Sequence, residues 1–138
     1  MTRMALRALL AVVAALATML ATTMPAQAAD PSQNIGWLYT TDSGPGGGAY
    51  FDADSNGWPN YEKLTVCDNK PNGMGVIAYV WAYGTNSSYY VVDPSDDHVC
   101  NDINFDMWSE GTLVEMQVCE YAAGTYDYYC SLADTGAA

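Results

Sequence analysis

The 138-residue chain sets sixteen acidic residues against four basic ones, a net charge of −12, and half of its residues are hydrophobic. A field of that sign repels phosphates and anionic head groups, which excludes the polybasic grooves of nucleic-acid and anionic-membrane binding. The single histidine, His98, leaves one imidazole at most for general-base work.

Arg3 and Arg7 precede an apolar run from Ala8 to Ala21 broken only by Thr18, and Pro25 then introduces Ala26-Gln27-Ala28. That order of positive end, apolar stretch and small-x-small site is the form of a secretory leader cleaved after Ala28. The run is short for a membrane span of about 20 residues and no basic stop follows it, so no membrane association is expected after cleavage. Export removes both arginines and leaves Lys63 and Lys70 against all sixteen acids, a net charge of −14.

Residues 29–48 read as an N-terminal strand and a glycine-rich loop, and 49–138 as the body of the same domain. The chain continues as strands separated by turn chemistry. Gly36 to Thr41 is an apolar-aromatic run, and Ser43-Gly44-Pro45-Gly46-Gly47-Gly48 is a loop. Ala49 to Phe51 and Lys63 to Cys67 are the next strands, and Asn72-Gly73 predicts a tight hairpin into the strand that follows. From Val76 to Tyr83 both alternating faces are apolar or aromatic, which places that strand near the middle of a sheet. Tyr89 to Val92 and Ile103 to Met107 follow. In Thr112 to Tyr121, Val114, Met116 and Val118 face one way and Glu115 and Gln117 the other, the mark of a half-buried strand, and Tyr126 to Leu132 is expected to close the sheet. Short strands at this spacing, without helical periodicity after the leader, predict an all-β fold: a small antiparallel β-sandwich or partly open barrel.

Cys67, Cys100, Cys119 and Cys130 all lie in the exported part, and none has the spacing of a zinc or redox site. Three pairings are formally possible. Cys67 with Cys100 and Cys119 with Cys130 is favoured, because Ala123-Gly124-Thr125 supplies a turn between the second pair.

Leu64-Thr65-Val66-Cys67-Asp68, Asn72-Gly73-Met74-Gly75-Val76, Asn101, Glu110-Gly111, Val118-Cys119 and a last cysteine near the C-terminus resemble small exported actinobacterial proteins of no established function. The resemblance runs from about Ala49 onward. It implies a disulfide-stapled β-sandwich in the extracellular space and brings no catalytic residues with it.

Asp52-Ala53-Asp54-Ser55-Asn56-Gly57 has the first half of a calcium loop, with oxygen ligands at alternate positions and glycine at the sixth. Position 12 is Lys63 and the acid, Glu62, falls one residue early, so an EF-hand is not expected. Calcium held by Asp52, Asp54 and Asn56 is the remaining metal reading, against a polar turn in which these side chains bond their own backbone. Asp93, Asp96, Asp97 and His98 form a second acidic group with the composition of a solvated loop.

No nucleophile elbow, zinc helix or phosphate loop appears, and disulfides leave no thiol, so no enzyme activity is expected. Four tryptophans and eleven tyrosines exceed what a small core absorbs, so some rings stand exposed to meet a glycan or a secreted protein. Trp58, Trp81, Tyr83 and Tyr89 are the candidates. Trp81-Ala82-Tyr83 is superficially similar to the Trp-Arg-Tyr triplet of small exported amylase inhibitors, but the arginine that suits a catalytic carboxylate is replaced by Ala82. Leu132 to Gly136 is similar to a sortase signal that lacks its hydrophobic tail, which points to release rather than wall linkage. The expected protein is a secreted binding module; a hydrolase inhibitor and a calcium-binding domain are the alternatives.

Overall fold

The computed structural model describes residues 32–44, 46–95 and 97–138. The expected leader lies outside the described residues. Among the described residues nine strands follow one another: β1 (Ile35–Tyr39), β2 (Gly47–Asp52), β3 (Glu62–Asp68), β4 (Gly75–Ala82), β5 (Ser88–Asp93), β6 (Asn101–Phe105), β7 (Leu113–Tyr121), β8 (Asp127–Tyr128) and β9 (Asp134–Ala137). They form two antiparallel sheets, one in the order β1-β2-β3-β6 and the other in the order β5-β4-β7-β8, with β9 also on β7. The fold is the expected all-β sandwich.

Period-two alternation decides what each sheet buries. Ala49, Phe51, Leu64 and Val66 point inward from the first sheet, and Val76, Ala78, Val80, Val114, Met116 and Val118 from the second; all are at most 1 % exposed. Phe51 opposite Leu64 on β3 and Ile35 on β1 fixes that register, since a slip of one residue would turn every one of these groups to solvent. The two sheets approach closure at both edges. Gln33 and Ala137 exchange backbone hydrogen bonds of 2.8 and 3.0 Å between the β1 and β9 edges, and Asn101 Nδ2 donates to the Val92 carbonyl at 2.9 Å between β6 and β5.

β4 is central, between β5 and β7, as its two apolar faces require. The Asn72-Gly73 hairpin is corrected: β3 and β4 belong to different sheets, so these residues turn the chain across the sandwich. Asn72 still acts as a turn residue, its Oδ1 accepting from the Met74 N–H at 2.8 Å while Gly73 takes φ 77°. The strand expected over Tyr126 to Leu132 is corrected too. Only Asp127–Tyr128 is strand there, and the longer strand on that β7 edge is β9, with Leu113 to Met116 opposite Ala137 to Asp134. The sortase-like residues are thus largely strand. The strand expected to run to Met107 ends at Phe105, and Met107 instead turns into the core at 6 % exposed.

Cys67 is bonded to Cys100 and Cys119 to Cys130, with no free cysteine. Each bridge joins neighbouring strands of one sheet. Val66 lies opposite Asn101, so the next pair in register is Cys67 and Cys100. Glu120 lies opposite Tyr128, and Tyr129 at φ 50° adds the residue that brings Cys130 to Cys119. Two bridges and no free thiol fit an oxidising compartment. No helix among the described residues is long and apolar enough to cross a membrane.

Candidate functional site

The connection from β2 to β3 cannot continue either strand, because Asn56 and Gly57 take φ 58° and 75° and Asn60 takes 63°. Asparagine and glycine tolerate this left-handed region better than other residues. The loop closes on itself: the Ser55 N–H donates to the Tyr61 carbonyl at 2.7 Å, and the Gly57 N–H to the Asp54 carbonyl at 2.7 Å. The Asn60 N–H reaches out to Glu110 Oε1 at 2.6 Å. A loop tied at three points holds its side chains in place before any ligand arrives.

Those side chains surround a pocket of about 310 Å³ lined by Ser55, Asn56, Trp58, Tyr61 and Asn104. Trp58 is 69 % exposed and Tyr61 51 %, although both are large apolar rings. Asn104 comes from β6, opposite Lys63 on β3. Asn56 Nδ2 donates to Ser55 Oγ at 3.4 Å and keeps its amide oxygen for a ligand. The lining thus combines two rings, two amides and two hydroxyls, with no carboxylate, lysine or imidazole among the described residues that form it. It can stack a planar or ring-shaped group and exchange hydrogen bonds with hydroxyls or amides.

The expected calcium ligands lie at the end of β2 and in the turn that follows it. Asp52 ends β2 opposite Lys63, Asp54 Oδ2 accepts from the Ser32 hydroxyl, and Asn56 lines the pocket. Asp54 Oδ1 is buried without a hydrogen-bond partner. Among the described residues no three acidic, histidine or cysteine side chains gather as a metal centre requires. In the second acidic group, Asp93 turns inward at 1 % exposed and accepts the Asp68 N–H at 2.7 Å. Asp97 accepts the Val99 N–H at 2.9 Å in a local turn, and Asp96 lies outside the described residues.

Of the four aromatic candidates, Trp58 lines the pocket, and Trp81 and Tyr83 lie on the outer side of the second sheet. Tyr89 occupies an inward position of β5, part-buried against the core, with its ring edge-on to Phe105 and Trp108 at 5.0 and 5.1 Å. Ala82 between Trp81 and Tyr83 also points inward, 2 % exposed, so the triplet is largely β4 strand and not a projecting loop. Sequence reading missed Tyr61 and Asn104. Tyr61 had a signal, since Trp58-Pro59-Asn60-Tyr61 places two rings on one turn-rich segment; Asn104 had none, because strand pairing alone brings it there.

Compared with known proteins, the chain matches no family model, and no curated protein or solved structure matches it significantly.

Proposed function

We propose that this is a secreted, non-enzymatic binding module whose Trp58–Tyr61 pocket takes a ring of an uncharged extracellular saccharide. The observation that carries the reading is two half-exposed rings on a hydrogen-bonded loop, beside the amides of Asn56 and Asn104. Sugar rings offer apolar faces to such side chains and hydroxyls to such amides. The uncharged side chains of the described lining residues, within a protein of strong negative charge, favour neutral sugars over uronic or phosphorylated ones. The non-enzymatic part of the reading rests on the sequence, which has a single histidine, and on the bonding of all four cysteines in disulfides.

The test is depletion from solution by insoluble neutral glycans, followed by titration with soluble fragments of any that bind. Trp58→Ala is expected to weaken binding by about tenfold or more while leaving the fold intact, because the side chain is exposed. Unchanged affinity in Trp58→Ala and Tyr61→Ala overturns the pocket reading, and steady release of product by the pure protein overturns the non-enzymatic one.

A further inference from the structure

The outer side of the second sheet carries a separate set of rings. Tyr79 and Trp81 are alternate residues of β4 and so share that face, about 6.4–6.8 Å apart along the strand. Tyr83 stands just beyond the strand end. Both strand rings are tied down by carboxylates. Trp81 Nε1 donates to Glu115 Oε2 at 2.9 Å, directly opposite on β7, and the Tyr79 hydroxyl donates to Asp127 Oδ2 at 2.8 Å on β8. These bonds draw the two side chains across the outer surface of the sheet towards neighbouring strands. Tyr90 on β5 adds a third ring 6.2 Å from Tyr79.

Coverage of the sheet does not account for this arrangement, since Tyr90 and Tyr83 remain 63 % and 65 % exposed. Beside Tyr83 and Glu115 there is also a mostly apolar recess of about 180 Å³. Electrostatics narrows the occupant. Lys63 pairs with Asp102 on the other sheet and Lys70 with Asp42 between the strands' ends near Glu120, so no lysine or arginine of the described residues is seen among the rings of this face. Carboxylates flank the rings instead.

We propose that the outer face of β5, β4 and β7 is a second binding platform, for a polysaccharide whose sugar rings carry free amines. Ring faces of such a polymer stack on Tyr79, Trp81 and Tyr90, and its ammonium groups meet Glu115 and Asp127 and the electron-rich aromatic faces. A row of rings along a strand suits a polymer of rings better than a basic peptide, whose contacts need no such repeat. The platform shares no residue with the Trp58 pocket, so either site can fail without the other.

The probe is partially deacetylated poly-N-acetylglucosamine, compared with the fully acetylated polymer, with cellulose and with polylysine at mildly acidic pH. Binding to the deacetylated polymer is expected to fall about tenfold or more in Trp81→Ala and in Tyr90→Ala. It should fall less in Glu115→Gln, weaken with added salt, and persist in Trp58→Ala. No binding to the deacetylated polymer, or binding that Trp81→Ala and Tyr90→Ala leave unchanged, overturns the platform. Equal binding to cellulose or the acetylated polymer overturns the requirement for amines. Polylysine binding lost in the same variants assigns the face to a basic peptide and overturns the glycan.

Discussion

Glu120 stands where the alternation of β7 calls for a core residue, next on the inward face after Val114, Met116 and Val118, and it is 1 % exposed. Asn72 Nδ2 donates to its Oε1 at 3.0 Å, while Oε2 has no hydrogen-bond partner. Burial first, and the Asp42 carboxylate second, push its pKa up. Asp42 shows the opposite outcome: burial opposes its ionisation, but Lys70, Thr40 and the Gly46 N–H outweigh that and bring it down to about 2. The signs follow from linkage. Stability contributed by Asp42 is present above its ordinary value of 3.8 and lost as pH falls towards 2; that tied to protonated Glu120 is present below its ordinary 4.5 and lost as pH rises through the raised value. Glu120→Gln is therefore expected to match the parent near pH 3 and exceed it by about 1–3 kcal/mol at pH 8, read by urea unfolding across pH. A parent and variant with parallel profiles would show that Glu120 titrates normally. The same cluster explains Gly46, whose added Cβ would lie 1.8 Å from Glu120 Oε1. Gly46→Ala should cost about 1–3 kcal/mol, with most of it recovered in a Glu120→Ala background.

At the level of elements, what the sequence made legible was local. The inward sets of β2, β3, β4 and β7 follow from alternation, and the central place of β4 from its two apolar faces. Topology was less legible, because Asn72-Gly73 specifies a reversal without specifying which sheet receives the next strand. β9 was hidden for another reason: Asp134 to Ala137 has little β propensity, and its place on β7 comes from tertiary pairing, with Gly136 and Ala137 small enough to pack closely. The site divides in the same way. Trp58 stood out by composition, whereas Asn104 entered through the β3–β6 register. The bridges sit on that register as well, one closing a separation of 33 residues and the other of 11. Loop-closure entropy gives them about 4 and about 3 kcal/mol respectively. Replacing Cys67 and Cys100 together by alanine should thus lower the urea midpoint more than replacing Cys119 and Cys130. The reverse order would mean that the second bridge acts mainly by holding β8 and Ser131 against β7, where the Ser131 N–H donates to the Val118 carbonyl at 2.8 Å.

The described residues carry their charge almost without compensation. Of the two lysines among them, Lys63 forms a solvent-exposed pair with Asp102 at 3.6 Å, a type of contact that contributes little, and Lys70 is engaged by Asp42. The remaining acids repel one another over distances comparable with the width of a small sandwich at low ionic strength, and unfolding relieves that repulsion by spreading them apart. The same surplus disfavours anionic ligands at the two proposed sites, so that expectation and the stability of the fold share one electrostatic origin. Raising sodium chloride from 10 to 500 mM at pH 8 should accordingly stabilise the protein produced without residues 1–28 by about 1 kcal/mol, a few degrees in Tm, as the Debye length contracts. At pH 4, where many carboxyl groups are protonated, the same salt step should have little effect. A gain of equal size at both pH values would point to a general salting-out of apolar surface, which strengthens burial whatever the charge, and would remove self-repulsion as its cause.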